Sequence, residues 1–257
     1  YAVWKALGDQ VVFVPGRYTA PPELDLYVGK RVVLVDFSWK RAVLESIAAV
    51  ADKVVIIDHH KTAQNELSGL GHLNNVEVHF DLNQSGAVLA WKFFHAEPVP
   101  ELLLHIQDYD LWRFTMEGTE AVWVALESVG ADLAAWDGLD AATLRQEGSA
   151  ILRFMTQKLK LQAENAWRGC FKGHDVPFCC ASNFMASKLG NMLATGEKFA
   201  VIWREIPGQV SFSLRSDENG LDVEELARSF PGGGGHKHAA GFALPKGSPE
   251  LRELLGF

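Results

Sequence analysis

The sequence predicts an α/β protein in two parts: a parallel-sheet domain joined by a long helix to a smaller α+β C-terminal domain. Three observations predict it. Short, unbroken β-branched runs alternate with helical spacing in the first half, one long proline-free helical pattern fills the middle, and a hairpin with one polar face follows. Continuous apolar runs suit strands covered on both faces, as in parallel sheets, whereas strict alternation suits a strand with one solvated face.

The elements can be justified in chain order. Residues 1–8, Tyr-Ala-Val-Trp-Lys-Ala-Leu-Gly, read as the end of a helix closed by glycine. Residues 10–14, 31–36 and 53–58 are three apolar runs, expected to be strands. Between the second and third, Val43, Leu44, Ile47 and Val50 recur at helical spacing. Strand, helix, strand in that order predicts a right-handed crossover in an α/β layer. Residues 77–80 offer a further strand and residues 86–95 a helix that stops before Pro98. Helical patterns continue over 102–105 and 121–126. From Ala141 to Trp167, Leu144, Ile151, Met155 and Leu159 fall mostly three or four apart, which predicts one long connecting helix. The domains are therefore expected at residues 1–138 and 169–257, with the connecting helix at 139–168.

Past that helix the pattern changes. Residues 199–204 and 209–215 are strands separated by Glu-Ile-Pro-Gly, and in the second Val210, Phe212 and Leu214 alternate with Ser211, Ser213 and Arg215. Asp222 followed by Glu225 marks a capped helix start, and that helix should end before Pro231.

Composition bounds the function. The chain has 257 residues, 48% hydrophobic and 22% charged, enough to bury one large core or two modest ones. No apolar run is long enough to cross a bilayer. The formal net charge of -8 argues against a broad basic surface for long nucleic acid, but not against a small phosphorylated substrate. Cys170, Cys179 and Cys180 lack metal-ligand spacing and read as buried packing in a reducing, cytoplasmic setting.

Two of the apolar strands end in aspartate, Asp36 and Asp58. In parallel sheets the carboxyl ends of strands are where sites form. A lone aspartate there is often a turn or cap residue. The second case continues as Asp58-His59-His60, and carboxylate with imidazole suits manganese, magnesium or iron. The acidic pair Asp108 and Asp110, in Asp-Tyr-Asp-Leu-Trp-Arg-Phe, reads alone as a solvated loop with an aromatic anchor; beside the other clusters it is a third candidate metal-binding segment. Gly232, Gly233, Gly234 and Gly235 precede His236 and Lys237. Such a run lets several backbone N–H groups face one anion. A flexible linker is the plain alternative, but linkers rarely pass straight into His-Lys-His-Ala-Ala-Gly and a strand. Arg215, on the polar face of its strand, is placed to clamp the same phosphate.

These residues resemble the DHH phosphoesterase superfamily, in particular its nanoRNase- and RecJ-like members with a type 1 DHH-associated C-terminal domain. The naming triad stands as Asp58-His59-His60, and the C-terminal signature as Gly232 to Gly241, about 170 residues apart. The resemblance implies an active site in a cleft between the domains and two divalent metal ions, most often Mn2+, with Mg2+ as the alternative. It gives Asp36 as the bridging metal ligand and His59 as another. It gives an aspartate of the Asp-Tyr-Asp segment as a further ligand, favouring Asp110 but leaving Asp108 open. Asp58 and His60 are implied as catalytic residues that orient the ligands and face the phosphate. Arg215, Gly233, Gly234, Gly235 and His236 are implied to bind the substrate's terminal phosphate.

One departure matters. The family's first motif, a strand ending in paired aspartates or an Asp-Gly turn, does not occur in these residues, and truncation is the expected reason. The implied activity is metal-dependent hydrolysis of phosphate esters in short oligonucleotides or small nucleotides. No membrane partner is expected, and a homodimer is compatible. Single-stranded DNA exonuclease activity is one alternative, and a catalytically inactive nucleotide-binding or regulatory module is another.

Overall fold

The structure is a computed structural model that describes residues 1–17 and 22–255. Two compact units divide the chain, Tyr1–Phe154 and Met155–Phe257. The division falls inside the long central helix.

The first unit opens with α1 (Ala2–Leu7), closed by Gly8 at a left-handed φ of 55°. There follow β1 (Arg31–Val35), α2 (Arg41–Val50), β2 (Lys53–Asp58), α3 (Lys61–Leu67) and β3 (Val76–Phe80). A helical run completes it: α4 (Gly86–Phe94), α5 (Glu101–Asp110), α6 (Thr119–Val129), the short α7 (Leu133–Trp136) and the first part of α8 (Ala141–Ala163). The strands form a parallel sheet in the order β1-β2-β3, with Val33 opposite Val55 and Val55 opposite Glu77.

Burial explains the unbroken β-branched runs. Val54, Val55, Ile56 and Ile57 of the central strand are all 0% exposed, so both faces of β2 are covered. Val54 and Ile56 pack with Leu44 and Ile47 of α2, while Val55 and Ile57 pack with Val88 and Trp91 of α4 and Leu103 of α5. Burying a Val or Ile side chain stabilises by about 1.5–3 kcal/mol, so this strand anchors the unit and fixes where its carboxyl end lies.

In the second unit come β4 (Trp167–Phe171), β5 (His174–Cys180), α9 (Asn183–Ala194), β6 (Ala200–Ile206) and β7 (Gln209–Arg215). The remainder is α10 (Val223–Arg228), β8 (Gly234–His236), β9 (Ala239–Pro245) and α11 (Pro249–Leu255). The sheet order is β4-β5-β6-β7-β9-β8, with only β5 and β6 parallel. A parallel pair needs a crossover, and α9 supplies it. Phe171, Phe178, Phe199, Phe212 and Phe242 form the core on one face of this sheet. Asp222 caps α10 by accepting from the N–H groups of Glu224 and Glu225, as its sequence position predicts.

Three expectations need correction. Residues 10–14 are not a strand: Val11 is extended at φ −116°, ψ 135°, but the segment joins no ladder among the described residues, and Val12 is 87% exposed. A β-pattern becomes a strand only where another backbone completes its hydrogen bonds. The long helix stops at Ala163, and Trp167 already opens β4. Of the cysteines, all free, only Cys179 is buried, while Cys170 and Cys180 are exposed. Alternation along β5 turns neighbouring Cys179 and Cys180 to opposite faces. The β4–β5 hairpin escaped the sequence reading because its two-residue turn, Lys172-Gly173, has positive φ at both positions yet carries lysine where asparagine would be the usual signal.

Candidate metal centre

The site grows from the carboxyl ends of β1 and β2. Asp36 follows β1 directly, in the left-handed region at φ 57°, and its N–H donates to Ile57 O at 2.8 Å. A non-glycine residue held there costs of order 1–3 kcal/mol, which the surrounding sheet must over-determine. Gly86, the first residue of α4, leaves room for it: a Cβ at Gly86 would lie 2.5 Å from both Cβ and Oδ1 of Asp36. The helix start thus fits against the aspartate only because the side chain at 86 is missing.

Asp58 ends β2 and is 0% exposed. Its Oδ2 accepts from Ser38 Oγ at 2.7 Å, and its Oδ1 accepts from the N–H groups of His59 (2.7 Å) and His60 (3.2 Å). His60 Nδ1 lies 2.7 Å from the same Oδ1. Burial alone would push the Asp58 carboxyl up; hydrogen bonds from His60 and Ser38 outweigh it and hold the group below its usual range. Burial pulls His60 the other way, but Asp58, Asp36 and Asp110 together raise it. Asp58 therefore orients His60 through Nδ1 and leaves Nε2 for other work. The resemblance gave Asp58 and His60 the work of orienting the ligands and facing the phosphate; full burial and four donors suit Asp58 to the orienting part.

His59 is the hub. Its Nε2 lies 3.0 Å from Asp36 Oδ1 and 3.3 Å from Asp110 Oδ2, with its side chain 1% exposed. Asp110 is the last residue of α5, so three separate elements meet at one imidazole nitrogen. Desolvation raises the Asp110 carboxyl, His59 and His60 oppose that, and Asp36 adds to it. Ligand atoms of Asp36, Asp58 and His60 all lie within 4.8 Å of one another.

Asp108 is turned to a different task. It accepts from Thr115 N (2.9 Å), Thr115 Oγ1 (2.7 Å), Met116 N (3.1 Å) and Thr119 Oγ1 (2.6 Å). Burial raises its carboxyl, and these donors more than reverse it, to about 2. Both oxygens are thus committed to the loop after α5, and the candidate ligand of this segment is Asp110. The plain sequence reading of this pair as a solvated loop is corrected: both stand on the last turn of α5, with Asp108 buried, and which one faces the site depends on the helix face that is covered.

The donor set fits a divalent cation. Two carboxylate oxygens converge on one imidazole nitrogen, which in its neutral form has at most a single proton to give them. A shared cation satisfies all three, and nitrogen with carboxylate oxygen is the ligand mix of Mn2+ or Fe2+ sites. Asp36, His59 and Asp110 would hold it.

The predicted phosphate-binding residues lie in the second unit. Arg215 ends β7, where its guanidinium donates to Leu214 O at 2.9 Å and Ser187 Oγ at 2.8 Å. Register places Arg215 opposite Ala239 on one side and His236 opposite Ala239 on the other. Side chains in one cross-strand row share a face, so Arg215 and His236 point to the same side, two strand spacings (about 10 Å) apart. The glycine run is not a loose linker: Gly234 and Gly235 belong to β8, and a Cβ at Gly233 would lie 2.0 Å from Ala227 O. Sequence reasoning missed Ser38, Ser187 and Thr119, because hydroxyl partners carry no spacing signal.

A parallel sheet that brings aspartate, histidine and a third carboxylate together at its carboxyl ends, followed by a mixed-sheet unit, defines an α/β protein with a candidate carboxylate–imidazole metal centre. Residues 181–256 match the DHHA1 domain. The Asp58-His59-His60 triad stands on the sheet before that match, so the DHHA1 match and the triad occur in the order of the DHH resemblance. It is 28% identical over 258 residues to uncharacterized protein R106 of Acanthamoeba polyphaga mimivirus, covering 93% of this chain and 60% of that protein. The chain therefore spans 60% of the length of that curated relative. Among solved structures it is similar to an exopolyphosphatase-related protein from Bacteroides fragilis, at 16% identity and a TM-score of 0.40 over 86% of this chain and 68% of that one. It is also similar to PggH, a pGpG-specific phosphodiesterase from Vibrio cholerae, at 13% identity and a TM-score of 0.35 over 88% of this chain and 96% of that one. No helix among the described residues is long and apolar enough to cross a membrane.

Proposed function

We propose that this chain is the DHH and DHHA1 portion of a metal-dependent phosphoesterase that hydrolyses phosphate esters of short oligonucleotides or small nucleotides. The observation that carries the reading is the convergence of Asp36 and Asp110 on His59 Nε2, at 3.0 and 3.3 Å. Divalent ions, Mn2+ first, would supply Lewis-acid polarisation of the phosphate and a lowered pKa for attacking water.

The chain's own residues do the rest. Asp36, His59 and Asp110 hold the cation. Asp58 fixes the orientation of His60 through Nδ1, leaving Nε2 to face phosphate oxygen or the leaving group. Arg215, His236 and the backbone of Gly233, Gly234 and Gly235 bind the terminal phosphate. The net charge of -8 favours a short substrate over long single-stranded DNA, since there is little counterion release to gain.

In the full-length protein, Asp36→Ala and His59→Ala should each abolish Mn2+-dependent cleavage of a dinucleotide. Unchanged turnover in both would reject the assignment. Dinucleotide binding without turnover in the unmodified full-length protein would instead favour a nucleotide-binding module.

A further inference from the structure

The loop that follows α5 carries backbone strain with no burial to match it. Trp112 and Phe114 both occupy the left-handed region, at φ 55° and 51°. Aromatic residues seldom tolerate that conformation, and it persists only where neighbouring structure enforces it. Here the enforcement is visible. Arg113 N donates to Asp108 O at 2.9 Å, Thr115 N and Met116 N donate to the Asp108 carboxylate, and Arg113 Nη2 donates to Asn83 O at 2.7 Å.

The product of that enforcement is an outward-facing tryptophan. Trp112 is 42% exposed, so the strain is not repaid by core burial. The ring is nevertheless fixed in place. Phe114 meets it edge-on with centroids 4.7 Å apart, Tyr109 meets it at 5.4 Å, and Tyr109 is itself stacked on Trp123 at 4.3 Å. Its position is also specific. Trp112 stands two residues beyond Asp110, and its loop is tied to Asn83, three residues before the Gly86 that abuts Asp36. A rigid, partly exposed indole is thus held at the end of the sheet where the carboxylates gather.

We propose that Trp112 is a substrate-positioning residue, whose partly exposed indole stacks on a nucleobase while the adjacent phosphate lies at Asp36 and Asp110. This rests on the nucleotide phosphoesterase reading above and adds the residue that reads the base. Stacking suits the task because every base has a π-face, and a pre-ordered ring loses little entropy on binding.

The test is equilibrium binding of a dinucleotide to the full-length protein in Ca2+, a condition that does not depend on turnover. Trp112→Ala and Trp112→Leu should each weaken binding about tenfold, the scale of one lost base stack. Trp112→Phe should stay within about threefold, because it keeps an aromatic face. The same dinucleotide with both bases removed should bind wild type and all three variants alike. Equal dinucleotide affinity in wild type and Trp112→Leu, or equal loss with the base-free probe, would overturn the proposal. Neither result bears on the phosphoesterase reading itself, which would fall if the unmodified full-length protein bound the dinucleotide in Mn2+ without cleaving it.

Discussion

At the scale of single residues, the site depends on which carboxylates are spent and which are left. Asp58 and Asp108 are nearly or wholly buried, and their oxygens are used by local donors; Asp36 and Asp110 each turn one to His59. Asp108→Asn keeps the shape but removes an acceptor oxygen and the charge that four donors face. It should cost about 2 kcal/mol, the scale of hydrogen bonds to a charged group, read as a lowered midpoint in urea unfolding. An unchanged midpoint would mean that the loop after α5 is held by its aromatic contacts alone. The strand-terminal Asp36, the triad and the Asp-Tyr-Asp segment were all legible in the sequence, because strand ends and short spacings are local. Which of Asp108 and Asp110 turns to His59 was not, since that depends on the helix's rotation about its axis. Ser38, lying two residues past Asp36, was invisible for the same reason: only the fold brings its hydroxyl to Asp58.

At the scale of elements, periodicity specified most helices and strands, and failures occurred where a partner was needed. The 53–58 run became the fully covered centre of a sheet, whereas the similar 10–14 run stayed without a ladder among the described residues. Both have β-branched residues; only one has a neighbour on each side. Close approach between elements also leaves its mark on small residues. A Cβ at Gly148 of α8 would lie 1.8 Å from Ala121 O of α6, so the two helices pack backbone to backbone there. Gly148→Ala improves intrinsic helix propensity, yet overpacking should win and destabilise by about 1–3 kcal/mol. Thermal unfolding of that variant decides the matter: a raised Tm would mean that α8 moves away freely.

At the scale of the whole molecule, each unit has its own core, one built around β2 and one around a cluster of phenylalanines. The proposed cation site draws only on the first. Calorimetry of the full-length protein should therefore show Mn2+ raising the Tm of one transition and leaving the other in place, with the shift absent in Asp36→Ala. A shift of both transitions in that variant would place the metal elsewhere. The sequence by itself determined the two-part α/β plan, the strand-end aspartates, the His-His pair and the glycine-rich segment, because hydrophobic period and residue chemistry are local properties. Only tertiary structure decided that Asp110 and not Asp108 reaches His59, that Asp58 is enclosed, and that Trp112 faces outward. Each of those depends on which side of an element is buried, and burial is set by distant parts of the chain packing together.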